Sequence, residues 1–182
     1  SSRNDAGVRV NGDTALSDDA ILAAVGLLAG DIAGLPMRAY ETTASGLTQP
    51  IRRQPSWLEA PDPYDLALTD VAHRMQVALS LLLDGNTYVL CEPSVFAPEV
   101  LTVLDPTRVN PIKPERERLF EIMDRSNIDA PWTSRDKADT LSSARVLHIP
   151  YMLRPGRLQG LGPIEAQAGN LAISIAMRKW VE

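Results

Sequence analysis

Apolar side chains recur every three or four positions in two long segments of the chain, which is the period of a helix with one buried face. The first predicted helix starts at Ser17, a favourable N-cap, and ends at Gly34, where leucine and proline follow. The second covers 64–84 and ends before a Gly-Asn pair. We expect their buried stripes to be Ile21, Leu22, Val25, Leu28, Ile32 and Leu35 in the first, and Leu68, Val71, Met75, Leu79 and Leu82 in the second.

Three glycines of the first predicted helix, Gly26, Gly30 and Gly34, lie four positions apart and therefore share one side. An interior glycine costs about 1 kcal/mol of helix stability relative to alanine. We therefore expect Gly26 and Gly30 to permit a close approach of another backbone. Gly34 is suited to the left-handed conformation that closes a helix.

Short apolar runs separated by prolines and glycines follow the second helix and predict strands. These runs cover 87–91, 100–104, 119–123 and 145–149, and a shorter run lies at 37–40. Polar stretches at 127–143 and 152–162 are expected to be loops, and Pro163 suits the first position of a last helix. The pattern predicts an α+β fold in which amphipathic helices pack on a small mixed or antiparallel sheet.

The two ends of the sequence differ in character. Residues 1–16 are polar and glycine-containing, so we expect a flexible N-terminal arm. The apolar period of the last helix runs through Trp180 without a stop signal, which predicts a long helix that is open at Glu182. We accordingly expect one domain over 17–182, truncated in its last helix. The longest apolar run, 20–30, is too short to cross a bilayer.

Composition removes several classes of function. The chain has 182 residues, a net charge of −5, nine aromatic residues, two histidines and one cysteine. An internal disulfide is impossible, and an acidic chain with few aromatics disfavours broad electrostatic or stacking contacts with nucleic acid.

The charge is unevenly distributed along the chain, because 1–109 has 7 basic against 14 acidic residues and 110–182 has 11 basic against 9 acidic residues. Two surfaces of opposite charge that meet in an assembly are one interpretation; ordinary solvated faces are the other.

The glycine-rich segment 156–162 opens the last helix and lies beside Arg154 and Arg157. Helix N-termini attract anions, so a phosphate- or nucleotide-binding enzyme is the alternative function. The segment lacks the Lys-Ser/Thr of a P-loop and the spacing of a dinucleotide fingerprint. A sharp turn into the helix explains the glycines of this segment better than an anion-binding site does.

The remaining reactive side chains predict structural roles. Asp70 and His73 could touch on the second helix but have no nucleophile beside them, so a surface or rim pair is expected. His148 lies within a predicted strand and is expected to be half-buried and hydrogen-bonded, and Cys91 to be a small core residue. The charged run 113–118 is expected to be a solvated edge. We assign no catalytic, cofactor-binding or metal-binding residue and expect no cofactor.

Several segments, in order, resemble the N-terminal half of tailed-phage portal proteins of the HK97 type. Three of them belong to the first half: the opening helix with its Ile-Ala-Gly-Leu-Pro end (20–37), the Pro-Asp-Pro loop (57–63) and the helix followed by Gly-Asn-Thr-Tyr (81–88). The other three are Leu-Asp-Pro-Thr-Arg-Val (104–109), Val-Leu-His-Ile (146–149) and Gly-Leu-Gly-Pro-Ile-Glu-Ala (160–166). Asp62 stands where the family usually has asparagine, and Gly162 where serine is common.

The resemblance implies a structural protein and not an enzyme. Portal proteins form a ring, usually of twelve subunits, at one capsid vertex. The terminase motor packages double-stranded DNA through the ring, which also contacts capsid and head-completion proteins. The resemblance therefore implies a wing-like part of such a subunit, located in the virion and in the host cytoplasm during assembly, with no membrane partner.

Overall fold

The computed structural model describes residues 11–93, 98–123, 139–168 and 170–172. Within these ranges the chain forms helices α1–α4 and strands β1–β8. The helices are α1 Gly12–Ala15, α2 Asp19–Gly34, α3 Asp70–Asp84 and α4 Pro163–Ala166. The strands are β1 Tyr40–Thr42, β2 Thr48–Pro50, β3 Asn86–Pro93, β4 Pro98–Leu104, β5 Val109–Ile112, β6 Leu119–Ile122, β7 Asp139–Ser142 and β8 Val146–Pro150. Short 3₁₀ turns lie at Ser56–Leu58 and Pro106–Arg108.

The strands form three small antiparallel sheets, ordered β1-β2, β4-β3-β8 and β5-β6-β7. The core lies between the last two sheets and contains Tyr88, Leu90, Leu104, Val109, Phe120, Ile122 and Val146. Buried and more exposed positions alternate along β5 and β6, whereas residues 86–90 of β3 are all buried, so that both faces of this strand are covered. The prediction of an α+β fold is confirmed. Its long last helix falls largely on residues outside the described ranges.

Helices α2 and α3 pack against each other, and their ends follow from local chemistry. The carboxylate of Asp18, not Ser17, caps α2 by accepting from the backbone N–H of Ala20 at 3.0 Å. Gly34 ends α2 within the helix, and the next residue is extended, so the predicted left-handed cap at Gly34 is wrong. Arg74 of α3 donates from Nε to the carbonyl of Ala33 at 2.8 Å, which satisfies one of the free carbonyls at that end.

The buried face of α2 is narrower than the periodicity predicts. Only Val25, Ala29 and Ala33 are buried, because α3 approaches the side of the helix that carries small residues. The predicted core residues Leu22, Leu28, Ile32 and Leu35 are 47–61% exposed. A Cβ placed on Gly26 or Gly30 would meet no described atom within 4 Å, so no described residue of the same chain makes the predicted close approach at these glycines.

Helix α3 starts six residues later than predicted, after the cap residue Thr69, whose side chain accepts from the N–H of Ala72. Two aspartates hold the preceding segment in turns, since Asp62 accepts from the N–H of Tyr64 and Asp65 from that of Ala67. Of its predicted stripe, Val71 is exposed and the other members are half-buried. None of the described helices is long and apolar enough to cross a membrane.

Three further segments differ from the sequence prediction. Residues 12–15, which the sequence places in the flexible arm, form the one-turn helix α1. Its residue Ala15 is fully buried, and Asn11 caps the N-terminus of the helix. Strand β7 occupies 139–142 inside a predicted loop, while strands β2 and β5 were not predicted. Each of these strands is three or four residues long, and pairing with a neighbour stabilises it more than its own sequence does.

Candidate functional site

The Gly-Asn turn after α3 meets the glycine-rich segment before α4 in a backbone contact. We call Gly85, Asn86, His148, Gly160 and Gly162 the glycine junction. Gly85 has a φ of +69°, and its carbonyl accepts from the N–H of Tyr151 at 2.8 Å. A Cβ on Gly85 would overlap the backbone of Gly162, and one on Gly160 would lie 2.5 Å from the Gly85 oxygen. Only residues without a side chain permit this approach.

Asn86 connects the parts of the junction with its buried side chain, which is 6% exposed. Its Oδ1 accepts from the N–H of Gly160 at 2.7 Å and lies 3.0 Å from Nε2 of His148. Its Nδ2 donates to the carbonyls of Asp84 and Gly160, at 3.0 and 3.1 Å. Every polar atom of the amide therefore has a partner, and one side chain joins α3, β8 and the segment before α4.

His148 completes the junction from β8. Because Oδ1 of Asn86 is an acceptor, Nε2 of His148 carries the proton, and Nδ1 accepts from Arg118 at 3.2 Å. The imidazole stacks on Tyr88 with ring centroids 4.5 Å apart and meets the edge of Phe120. The expectation of a half-buried, hydrogen-bonded histidine is confirmed. Burial and, secondarily, the nearby Arg118 charge lower the pKa of His148 to about 4.

Tyr88 is fully buried beneath the histidine. Burial raises the pKa of its hydroxyl to about 12, against smaller opposing effects of Gln159 and Arg118. The hydroxyl lies near the Gln159 side chain but makes no hydrogen bond of good geometry with a described residue. Tyr88 therefore acts as a neutral core side chain and not as a proton donor at neutral pH.

We expect the protein to lose stability as the pH falls from about 6.5 towards 4. The unfolded chain has a His148 pKa near 6.5 and the folded chain one near 4, so the unfolded state binds the proton first and is favoured. Well above pH 6.5 His148 is neutral in both the folded and the unfolded state, and the stabilisation is complete. In the folded state a proton on Nδ1 would also oppose the Arg118 donor. Urea denaturation at several pH values measures the loss.

A His148→Gln variant is the control for this pH dependence, because His73, whose pKa is also lowered, remains in both proteins. The free energy of unfolding of the variant is expected to change less between pH 6.5 and 4. The sequence has only two histidines, so their ring signals are easily assigned by nuclear magnetic resonance. A His148 ring that titrates near 6.5 in the folded protein contradicts the prediction.

The glycine segment does not form a phosphate cradle. Three of its backbone amides already have partners: the N–H of Arg157 donates to the carbonyl of Arg154, that of Gly160 to Asn86, and that of Leu161 to the carbonyl of Met152. Arg154 and Arg157 do line one open groove of about 290 Å³, but Glu165 lines it as well. The alternative function of a nucleotide-binding enzyme finds no support.

The other reactive side chains that the sequence pointed to are Asp70, His73 and Cys91, and the pairing and burial of the first two differ from the prediction. Asp70 pairs with Arg74 at 3.0 Å and not with His73. His73 is buried at 8% exposure, not on a surface or rim, and burial lowers its pKa. Cys91 is half-buried within β3, where burial raises the pKa of its thiol. No cluster of three possible metal ligands occurs in the described part of the chain.

The family model for phage portal proteins matches residues 19–182. The chain belongs to the phage portal protein family. A probable portal protein of Streptomyces phage phiC31 is 30% identical over 189 residues, an alignment that covers 96% of this chain and 38% of the phiC31 protein. The portal chain described here therefore spans less than half the length of that relative.

Two solved particles contain chains of similar fold. One, described as the neck of an empty gene transfer agent (GTA) particle computed with C6 symmetry, matches with a TM-score of 0.67 over 92% of the portal chain and 43% of its own. The other, from the virion of a native GTA particle, matches with a TM-score of 0.66 over 96% and 44%. Identity is 17% in both, so these matches support the fold alone.

Three segments that carry the portal resemblance meet in the glycine junction. The helix-Gly-Asn unit supplies Gly85 and Asn86, the Val-Leu-His-Ile strand supplies His148, and the last segment supplies Gly160 and Gly162. Sequence reasoning identified the turn and the histidine but missed Asn86 as their link. Its partner Gly160 lies 74 positions away, and a Gly-Asn pair after a helix by itself indicates only a turn.

Proposed function

We propose that this chain is part of the subunit of an HK97-type portal ring, the head-tail connector through which a tailed phage or prophage packages and ejects its DNA. The match of the family model over residues 19–182 carries the proposal. Further support comes from GTA neck structures of similar fold, one computed with C6 symmetry and another, with a TM-score of 0.58, with C12 symmetry.

In this role the domain over 17–182 is a wing-like part of the subunit, and its function is mechanical and not enzymatic. The protein uses no cofactor. A ring for sliding DNA must not hold phosphates tightly, and a net charge of −5 suits that requirement. The glycine junction then fixes the direction in which the chain leaves the sheets towards α4, which is a structural task.

The partners that follow from this role are further copies of the chain, the terminase large subunit, capsid and head-completion proteins, and double-stranded DNA without sequence specificity. The protein would be located at the portal vertex of the virion, and in the host cytoplasm during assembly. In a closed ring each subunit contacts its two neighbours through two different surfaces, because a head-to-tail contact is not self-complementary.

Native mass spectrometry and electron microscopy of the intact protein, as its gene encodes it, test the proposal. We expect a closed ring of identical subunits, usually twelve, with a central channel. A protein that remains strictly monomeric over a wide range of concentration and salt contradicts the proposed function.

A further inference from the structure

Helix α2 presents its large apolar side chains to solvent. The buried side of the helix carries Val25, Ala29 and Ala33, whereas Leu27 is 66%, Leu28 49% and Leu35 61% exposed. We call Leu27, Leu28 and Asp31, together with Leu35 just past the end of the helix, the outer face of α2. Contiguous exposed leucines on a regular helix are typical of a surface that another protein surface covers.

A second apolar surface lies on the loop between β8 and α4. Tyr151, Met152 and Leu153 are 51, 49 and 46% exposed, and all residues of 151–157 are exposed. The loop is nevertheless held in place, because Tyr151 donates to Gly85 and the carbonyl of Met152 accepts from Leu161. We call 151–157 the docking loop. It is a firmly held apolar surface, so ordering it on contact costs little entropy.

The two surfaces carry opposite charges. Helix α2 contains two charged residues, the exposed Asp19 and Asp31, and no basic one. The docking loop contains Arg154 and Arg157, both exposed, and no acidic one. Apolar contact at the centre with complementary charge at the rim is the usual composition of a specific interface.

We propose that the outer face of α2 in one copy of the chain packs on the docking loop of the next copy around the ring. This inference rests on the proposed function, since it assigns the two surfaces that a head-to-tail contact requires. Pairing of α2 with α2 would place like charges together and would be self-complementary, which favours a dimer and not a ring. The opposite charges favour the unlike pairing.

Chemical cross-linking of the intact protein tests the contact. In a background where Cys91 and any cysteine that the intact protein carries outside this sequence are replaced by serine, Leu27→Cys and Met152→Cys place one thiol on each surface, and a short bismaleimide joins thiols that face each other. We expect a ladder of covalent multimers on denaturing gels. The matched control is Leu47→Cys with Met152→Cys, since Leu47 is 69% exposed in the β1-β2 turn, outside both surfaces. The control is expected to remain monomeric on the same gel.

Charge reversal provides a second readout. Asp31→Arg or Arg157→Asp alone is expected to raise the concentration needed for half-maximal ring assembly about tenfold, and the double variant to restore much of the loss. Arg52→Asp is the matched control, because Arg52 is exposed outside both surfaces, and it is expected to leave assembly unchanged.

The outcomes separate the inference from the proposed function. If the unmodified protein forms no ring, the proposed function fails. If the ring forms but the Leu27/Met152 pair gives no ladder and the reversals have no effect, the portal function stands and the inference is wrong. The outer face of α2 would then be covered by another segment of the same chain or by a different protein.

Discussion

Replacing Gly85 by alanine is expected to lower the free energy of unfolding by about 3 kcal/mol or more. Two costs combine. The backbone at Gly85 has a φ of +69°, where a residue with a Cβ is strained by about 1–2 kcal/mol. The added methyl group would also overlap the backbone of Gly162, and overpacking of this kind costs about 1–3 kcal/mol.

Gly156→Ala is the matched control for this change. Gly156 has a similar φ of +76°, but a Cβ there would meet no described atom within 4 Å. Its replacement is therefore expected to cost only the backbone strain, about 1–2 kcal/mol. Urea denaturation followed by tryptophan fluorescence measures both variants. Equal losses for the two glycines would show that the contact between Gly85 and Gly162 contributes nothing.

Replacing Asn86 by alanine is expected to cost about 3 kcal/mol. The change removes the acceptor of the Gly160 N–H, which is left unpaired in the interior, and that of the Nε2–H of the half-buried His148. Each buried group that loses its partner costs about 1–3 kcal/mol. The carbonyls of Asp84 and Gly160 lose a donor as well.

Two further variants, Asn110→Ala and Asn86→Asp, serve as controls for this prediction. Asn110→Ala removes a single hydrogen bond, from an exposed amide to Glu121, and is expected to change stability by less than about 0.5 kcal/mol. Asn86→Asp keeps the acceptor oxygens but places negative charge beside two carbonyls, so it is expected to be destabilising too. A stability loss at Asn86 no larger than at Asn110 would mean that the junction does not hold the loop before α4.

Local sequence chemistry predicted much of the fold correctly. The spacing of apolar residues located α2 and α3, and the Gly-Asn pair located the turn into β3, because these signals act within a few residues. Pro163 occupies the first position of α4 as expected. The boundaries moved where side chains competed with the backbone, as at Asp62 and Asp65 ahead of α3.

The sequence predicted less well which face of a helix is buried. In α2 the apolar residues surround most of the helix, so periodicity alone selected the leucines as the core. The structure instead places Ala29 and Ala33 against α3, because small residues let two helices approach closely. The exposed leucines that result are the basis of the proposed contact between copies.

The sequence by itself determined the class of protein: an α+β chain with few reactive side chains, acidic overall, and with ordered motifs that resemble portal proteins. Those properties follow from composition and from interactions between near neighbours in the chain. The tertiary structure alone decided that Asn86, His148 and Gly160 meet, and that three backbone amides of the glycine segment are already bonded. The contacts of Asn86 with His148 and Gly160 join residues more than 60 positions apart, so no local pattern encodes them, and only the packing of the sheets brings them together.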